Sequence, residues 1–147
     1  QRALVDVAFG EPESFQKIYC LEVIEHVYPR QAHRMLLGFH RLLTDGGKVF
    51  LTTPNYRSFW PLIERLMDLF HLAAPLVEHQ HVTFYNKGRL RKLCEGSGFI
   101  VERMAGACFL APWLAPLGER LAMKADAVES RIGWLPGSVL VCVLSKR

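Results

Sequence analysis

"KIYCLEVIEHVYP", residues 17–29, is the stretch on which the fold turns. Its first five residues form a short apolar run of the kind a strand uses, and the run stops abruptly on Glu22, Glu25 and His26. Their spacing is i, i+3, i+4, which on a helix sets all three side chains on one face within reach of one another. Two carboxylates and an imidazole converging at a strand-to-helix turn read as a site.

The segments on either side alternate in the same way. Upstream, "ALVDVAF" (3–9) is rich in Val and Leu and predicts a strand. Downstream, Met35, Leu36, Phe39, Leu42 and Leu43 recur as one helical stripe, with Pro29 near the first turn. "TDGG" (44–47) is expected to end that helix, its glycines supplying the positive φ of a helix exit. "KVFLTT" (48–53) then predicts a strand stopped by Pro54, and Ser58 to Phe70 a helix with Trp60, Ile63, Leu66, Met67 and Phe70 on one side. Asn86 is a candidate cap for a helix reaching about Cys94 or Glu95, which "GSG" closes. "FIVERM" (99–104) and "SVLVCVLS" (138–145) predict two more strands, separated by a segment of mixed helical character from Pro112 to Ile132. This order argues for an α/β layered sheet whose early strands are parallel and whose last two pair antiparallel. In such sheets ligands sit beyond the carboxyl ends of the strands. Cys20 to Glu22 and Thr53 to Asn55 are two such ends.

Composition narrows the class. The chain of 147 residues is half hydrophobic, enough for one domain with a sizeable core. Its 18 basic and 14 acidic residues give a formal +4, but the basic residues are scattered and no basic cluster is interleaved with aromatics, so a nucleic-acid partner ranks last. Cys20, Cys94, Cys108 and Cys142 lie far apart without a CxxC pair and read as reduced core cysteines of a cytoplasmic protein. No apolar run approaches the roughly 20 residues of a membrane span.

The succession "KIYCLEVIEHVYP", "RLLTDGGKVFLTTPN", "HVTFYNKGRLRKLCEGSGF" and "SVLVCVLSKR" resembles the latter part of a class I S-adenosylmethionine-dependent methyltransferase. Within that family "CLEVIEH" is most similar to the group holding the ubiquinone-pathway O-methyltransferases and the small-RNA 2′-O-methyltransferases. The resemblance implies a Rossmann-like sheet with helices on both faces, in strand order 3-2-1-4-5-7-6, of which this chain supplies the C-terminal portion. It also implies a glycine-rich cofactor turn that is missing here: the one G-x-G, Gly96-Ser97-Gly98, follows a helix and precedes a strand, the reverse of the required order, and reads as a helix stop. We therefore expect residues 1–147 to be a single partial methyltransferase domain lacking the first two strand-helix units. A strand and a glycine-rich turn are expected within roughly 40–80 residues upstream of Gln1. Without those units, uncovered strand edges would favour self-association.

By the same resemblance Leu21, next to Cys20, borders the sulfonium end of S-adenosylmethionine, with plain packing as its alternative. Gly10-Glu11 stands where a Gly-Asp pair often meets the adenine, although an acidic residue in a turn is as readily just solvated. Glu25 and His26, joined by His81 or His79 from "EHQHVTFYN", are the catalytic candidates. Two roles are open to them. With Glu22 they could bind a divalent cation that orients an acceptor hydroxyl; Mn²⁺, Zn²⁺ or Co²⁺ would accept the histidines better than Mg²⁺. Without a metal, His26 is a general base or a wall residue, and Glu22 bonds backbone amides at the helix start. Asn55 is either a substrate-bonding residue or a turn former. His33, His40 and His71 read as surface or packing residues, and Trp60, Leu62, Leu66 and Phe70 as core or as the wall of an acceptor pocket. The leading expectation is methyl transfer from S-adenosylmethionine to a small acceptor, chiefly on oxygen, with the apolar segments 56–77 and 105–136 suggesting a hydrophobic one. The alternatives are a non-catalytic remnant or partner subunit and, last, an RNA-modifying enzyme.

Overall fold

A computed structural model describes residues 10–58, 81–109, 111–114, 118–129, 131–132 and 137–147. The predicted strand at 3–9, the helix at 58–70 beyond Ser58, His71 and His79 lie outside the described residues. In chain order the elements are β1 (Phe15–Leu21), a single 3₁₀ turn (Ile24–His26), α1 (Pro29–Leu42), β2 (Leu43–Pro54), α2 (Lys87–Gly96), β3 (Phe99–Ala107), α3 (Ala111–Leu114), α4 (Glu119–Glu129) and β4 (Val139–Lys146).

The four strands form one mixed sheet in the order β1-β2-β4-β3. β1 and β2 run parallel, as the helix between them requires, and β4 is antiparallel to both β2 and β3. This is the expected 4-5-7-6 segment of the methyltransferase order. Among the described residues β1 has no second strand neighbour.

Alternation along the strands sorts the two faces. Cys20, Val49, Leu51, Leu140, Cys142 and Leu144 are buried on one side, where α1 lays Ala32, Met35 and Leu36, and α2 lays Leu90 and Cys94. Each fully buried leucine there contributes about 1.5–3 kcal/mol by leaving water. The opposite side carries Tyr19 stacked on Phe50 at a centroid distance of 5.1 Å, with Tyr19 and Leu21 exposed.

"TDGG" does something other than end a helix. Leu43 is fully buried and already extended (φ −72°, ψ 136°), so α1 passes straight into β2 and the glycines fall inside the strand. There they form an irregularity: Phe15 pairs with Leu43 but Lys17 with Lys48, so two steps of β1 match five of β2. Gly46 has φ +73°, and a Cβ on Gly47 would press on the Thr44 carbonyl.

Asn86 caps α2 as its sequence suggests, Oδ1 accepting from the Arg89 N–H at 3.0 Å, and Ser97 with Gly98 (φ +88°) closes the helix. Asn86→Ala should cost about 0.5–2 kcal/mol of stability, with Asn86→Ser recovering most of it, measured by chemical denaturation. Equal midpoints for all three proteins would contradict the cap. His33 bonds Ser97 Oγ through Nδ1 at 2.8 Å, and His40 stands edge-on to Phe99, so both histidines tie α1 to this turn in packing roles.

Candidate active site

The carboxyl ends of β1 and β2 meet where Leu21 pairs with Thr52. Immediately beyond, Glu22 takes φ +52°, a left-handed conformation costing about 1 kcal/mol or more in a non-glycine residue. Its N–H is held by Thr52, 3.2 Å from the carbonyl oxygen. The chain then drops Ile24 and Glu25 into the interior on one 3₁₀ turn. Glu22, Glu25 and His26 therefore do not share an α-helical face. The turn is only three residues long and α1 starts at Pro29, so Glu22 precedes both and stays exposed.

Glu25 is buried to 1 % exposure. Thr53, at the end of β2, donates from Oγ1 to Glu25 Oε2 at 3.0 Å. Oε1 has no hydrogen-bond partner among the described residues; its near neighbour is His26 Nε2 at 3.7 Å. Burial pushes the Glu25 carboxyl above its ordinary range, the nearby Glu22 charge adds to this, and the Thr53 bond opposes it.

The same residue fastens the later loop. The Glu25 carbonyl accepts from the N–H groups of Val82 (2.9 Å) and Thr83 (3.0 Å), and Thr83 Oγ1 donates to the Val27 carbonyl at 2.7 Å. These bonds carry His81 to the turn, with its ring 4.9 Å from that of His26. One ligating atom from each of Glu25, His26 and His81 lies within 4.8 Å of the others. Glu22 is not part of that group.

Tyr56 is a residue the sequence reading did not single out. Its hydroxyl lies 2.6 Å from His81 Nδ1, its N–H donates to the Tyr85 carbonyl at 2.9 Å, and its ring meets Phe84 edge-on at 4.5 Å. A Tyr immediately after a strand-ending Pro-Asn was the signal available. Asn55 itself is a turn residue: buried, it donates from Nδ2 to the Gly137 carbonyl at 2.9 Å and accepts at Oδ1 from the Arg57 N–H at 3.2 Å.

The cofactor-side candidates are dispersed. Leu21 sits at the rim with 54 % of its surface open, an apolar wall available to a ligand. Cys20 turns its side chain into the core, where burial pushes the thiol up to about 12, so its backbone alone faces the rim. Glu11 lies in the exposed turn before β1, at the amino end of that strand, and is not brought to the rim at all. An acid only four residues ahead of a strand enters at the wrong end of a parallel sheet.

A family profile described as "Methyltransferase domain" matches residues 4–103. The chain belongs to that family, whose cofactor is S-adenosylmethionine. It is 28 % identical over 117 residues to a ubiquinone biosynthesis O-methyltransferase of Aeromonas salmonicida, covering 76 % of this chain and 44 % of the relative. A protein of the same name from Xanthomonas euvesicatoria is 27 % identical over 114 residues, with 76 % and 46 % covered. The chain thus spans less than half the length of these curated relatives. Among solved structures, a SAM-dependent methyltransferase of Thermotoga maritima, described as a possible histamine N-methyltransferase, aligns with a TM-score of 0.65 at 18 % identity, covering 93 % of this chain and 58 % of that one. That likeness is one of fold.

No helix among the described residues is long and apolar enough to cross a membrane.

Proposed function

We propose that the protein transfers the methyl group of S-adenosylmethionine to a hydroxyl oxygen of a small acceptor, and that Glu25, His26 and His81 manage that hydroxyl. One observation carries the reading: an acid and two imidazoles converge within 4.8 Å at the sheet rim where ligands of such folds sit. The O-methyltransferase names of the curated relatives support oxygen as the accepting atom.

When bound, S-adenosylmethionine supplies an electrophilic methyl group, and Leu21 would flank it. Displacement is in line, so the chain's task is to hold the acceptor oxygen in position and relieve it of its proton. His26, more exposed than its neighbours, is the imidazole placed to take a proton from an incoming hydroxyl, and Glu25 beside it stabilises the resulting imidazolium.

Among the described residues Oε1 of Glu25 has no hydrogen-bond partner, and this favours a second arrangement. A buried carboxylate oxygen grouped with two imidazoles suits a divalent cation such as Zn²⁺, Mn²⁺ or Co²⁺. Glu25, His26 and His81 would hold it, and it would lower the pKa of a bound hydroxyl. Exhaustive chelation of the intact protein separates the two arrangements. Activity that vanishes and returns with added divalent ion is the cation result; full activity after chelation leaves His26 as the base. A third outcome, no transfer to any hydroxylated acceptor by a protein that binds S-adenosylmethionine, overturns O-methylation itself.

A further inference from the structure

We infer that the outer face of the layer formed by α1 and α2 is a docking surface for an anionic lipid membrane. Such docking needs neither cofactor nor acceptor, so it stands or falls apart from the transfer reaction.

Basic residues that are scattered along the sequence are gathered by the fold. α1 carries Arg30, Arg34 and Arg41 and no acid, and α2 carries Lys87, Arg89, Arg91 and Lys92 against the single acid Glu95. The two helices therefore hold a formal +6 in a chain whose total is +4, and everything outside them sums to −2. Both helices lie on the same face of the sheet, joined by the bond from His33 to Ser97, with their apolar stripes in the core. A helix that buries one stripe turns the opposite one outward. On α1 that outward stripe is Arg30, Arg34, Leu37 and Arg41, all exposed at i, i+4, i+7 and i+11 over about 16 Å of helix.

Little within the molecule offsets this charge. Among the described residues Arg30, Arg34, Arg41, Lys87 and Lys92 make no ion pair, while Arg91 meets Glu95 at 3.4 Å and Arg89 donates to the Phe84 carbonyl at 3.2 Å. At the far end of α1 the carboxylates of Glu13 and Asp45 are drawn to Lys146.

The apolar residues on the same face decide which polyanion it fits. Leu37 is 47 % exposed in the middle of the arginine stripe, Tyr28 is 63 % exposed just ahead of α1, and Phe84 is 50 % exposed just ahead of α2. A row of phosphates gives an exposed leucine nothing apolar to enter. A lipid headgroup layer takes arginine and lysine at its surface and receives leucine and aromatic side chains at the acyl boundary. Phe39, the one phenyl ring within the two helices, packs against the core, which leaves the basic stripe without the stacking rings that single-stranded nucleic acid uses.

Flotation of the intact protein with lipid vesicles tests the assignment. The protein is expected to float with vesicles of phosphatidylcholine mixed with phosphatidylserine and to stay behind with phosphatidylcholine alone. Binding should collapse between about 0.1 M and about 1 M salt, as the screening length falls from about 10 Å to about 3 Å. The triple variant Arg30→Gln, Arg34→Gln, Arg41→Gln should lower partitioning about 100-fold, about fivefold for each arginine. Its control, Arg103→Gln, Arg120→Gln, Arg131→Gln, removes the same charge from exposed positions on β3, on α4 and just after α4, and should change partitioning by less than about threefold. Equal losses in the two triple variants would mean that net charge acts without a face, and would overturn the assignment. So would a wild type that ignores the anionic vesicles. A single-stranded RNA oligonucleotide that strips the protein from the vesicles at equal phosphate concentration would overturn it too, giving the face to nucleic acid.

Discussion

Glu25→Ala in the intact protein is expected to reduce methyl transfer about 10²–10⁴-fold, the span over which a positioned proton-handling group contributes. The loss follows from three duties. Glu25 stands against His26 Nε2, takes the bond from Thr53, and offers the buried Oε1 to whatever occupies the site. Its backbone carbonyl still holds Val82 and Thr83 in the variant, so His81 should remain in place and binding of S-adenosylmethionine should change little. Transfer within threefold of the wild type would remove Glu25 from the site. Glu25→Gln tests the electrostatics separately. Burial, more than any other cause, raises the carboxyl above its ordinary range, so the folded state favours protonated Glu25. That contribution to stability is fully present below the ordinary carboxyl range and is lost as pH rises through the raised value. Calorimetric midpoints of the metal-free wild type should therefore decline with pH across that interval relative to Glu25→Gln. Parallel curves would show that the carboxylate is compensated in some other way.

Gly137→Ala should be the most damaging single methyl group in the described chain, costing about 3 kcal/mol or more. A Cβ at Gly137 would fall inside the van der Waals envelope of the Ala107 backbone N, C and O, and backbone atoms cannot swing aside as a side chain can. Relief requires separating the chain before β4 from β3, next to the Val139–Ala107 pair that begins their ladder. It also shifts the Gly137 carbonyl that holds Asn55, and through Asn55 the turn that presents Tyr56. Thermal unfolding should register the loss directly, and residual folded protein should show altered His81 resonances. Gly96→Ala is the control: nothing lies within 4 Å of the added methyl at the end of α2, and alanine there should be neutral or stabilising by up to about 1 kcal/mol. A Gly137→Ala protein as stable as Gly96→Ala would mean that β3 and β4 do not approach as described.

Much of this molecule is written locally. The apolar run at 17–21, the stripe Met35, Leu36, Phe39, Leu42, the Asn86 cap and the two C-terminal strands each follow from short-range periodicity or a terminal hydrogen bond, and each appears in the structure close to its expected bounds. The family, too, was legible, because four such pieces stand in a recognisable order. Glu25 and His26 could be marked in advance as candidates, since a titratable pair ending a buried strand stands out. The rest required the chain to close on itself. Glu22 left the group because the interior drew Ile24 and Glu25 onto a tight 3₁₀ turn, a competition between burial and helix propagation that spacing alone does not reveal. "TDGG" became part of a strand because Leu43 is worth more in the sheet core than as the end of a helix. Glu11 proved remote because distance along a parallel strand separates its two ends, however near they are in sequence. His81 reaches Glu25 through backbone bonds from Val82 and Thr83 to the Glu25 carbonyl, across more than fifty residues, and Tyr56 enters through its contacts with that same loop. Backbone donors and acceptors carry no residue identity. Sequence could therefore supply the candidate groups of the proposed site, while the pairing that brings them together was decided by the tertiary structure.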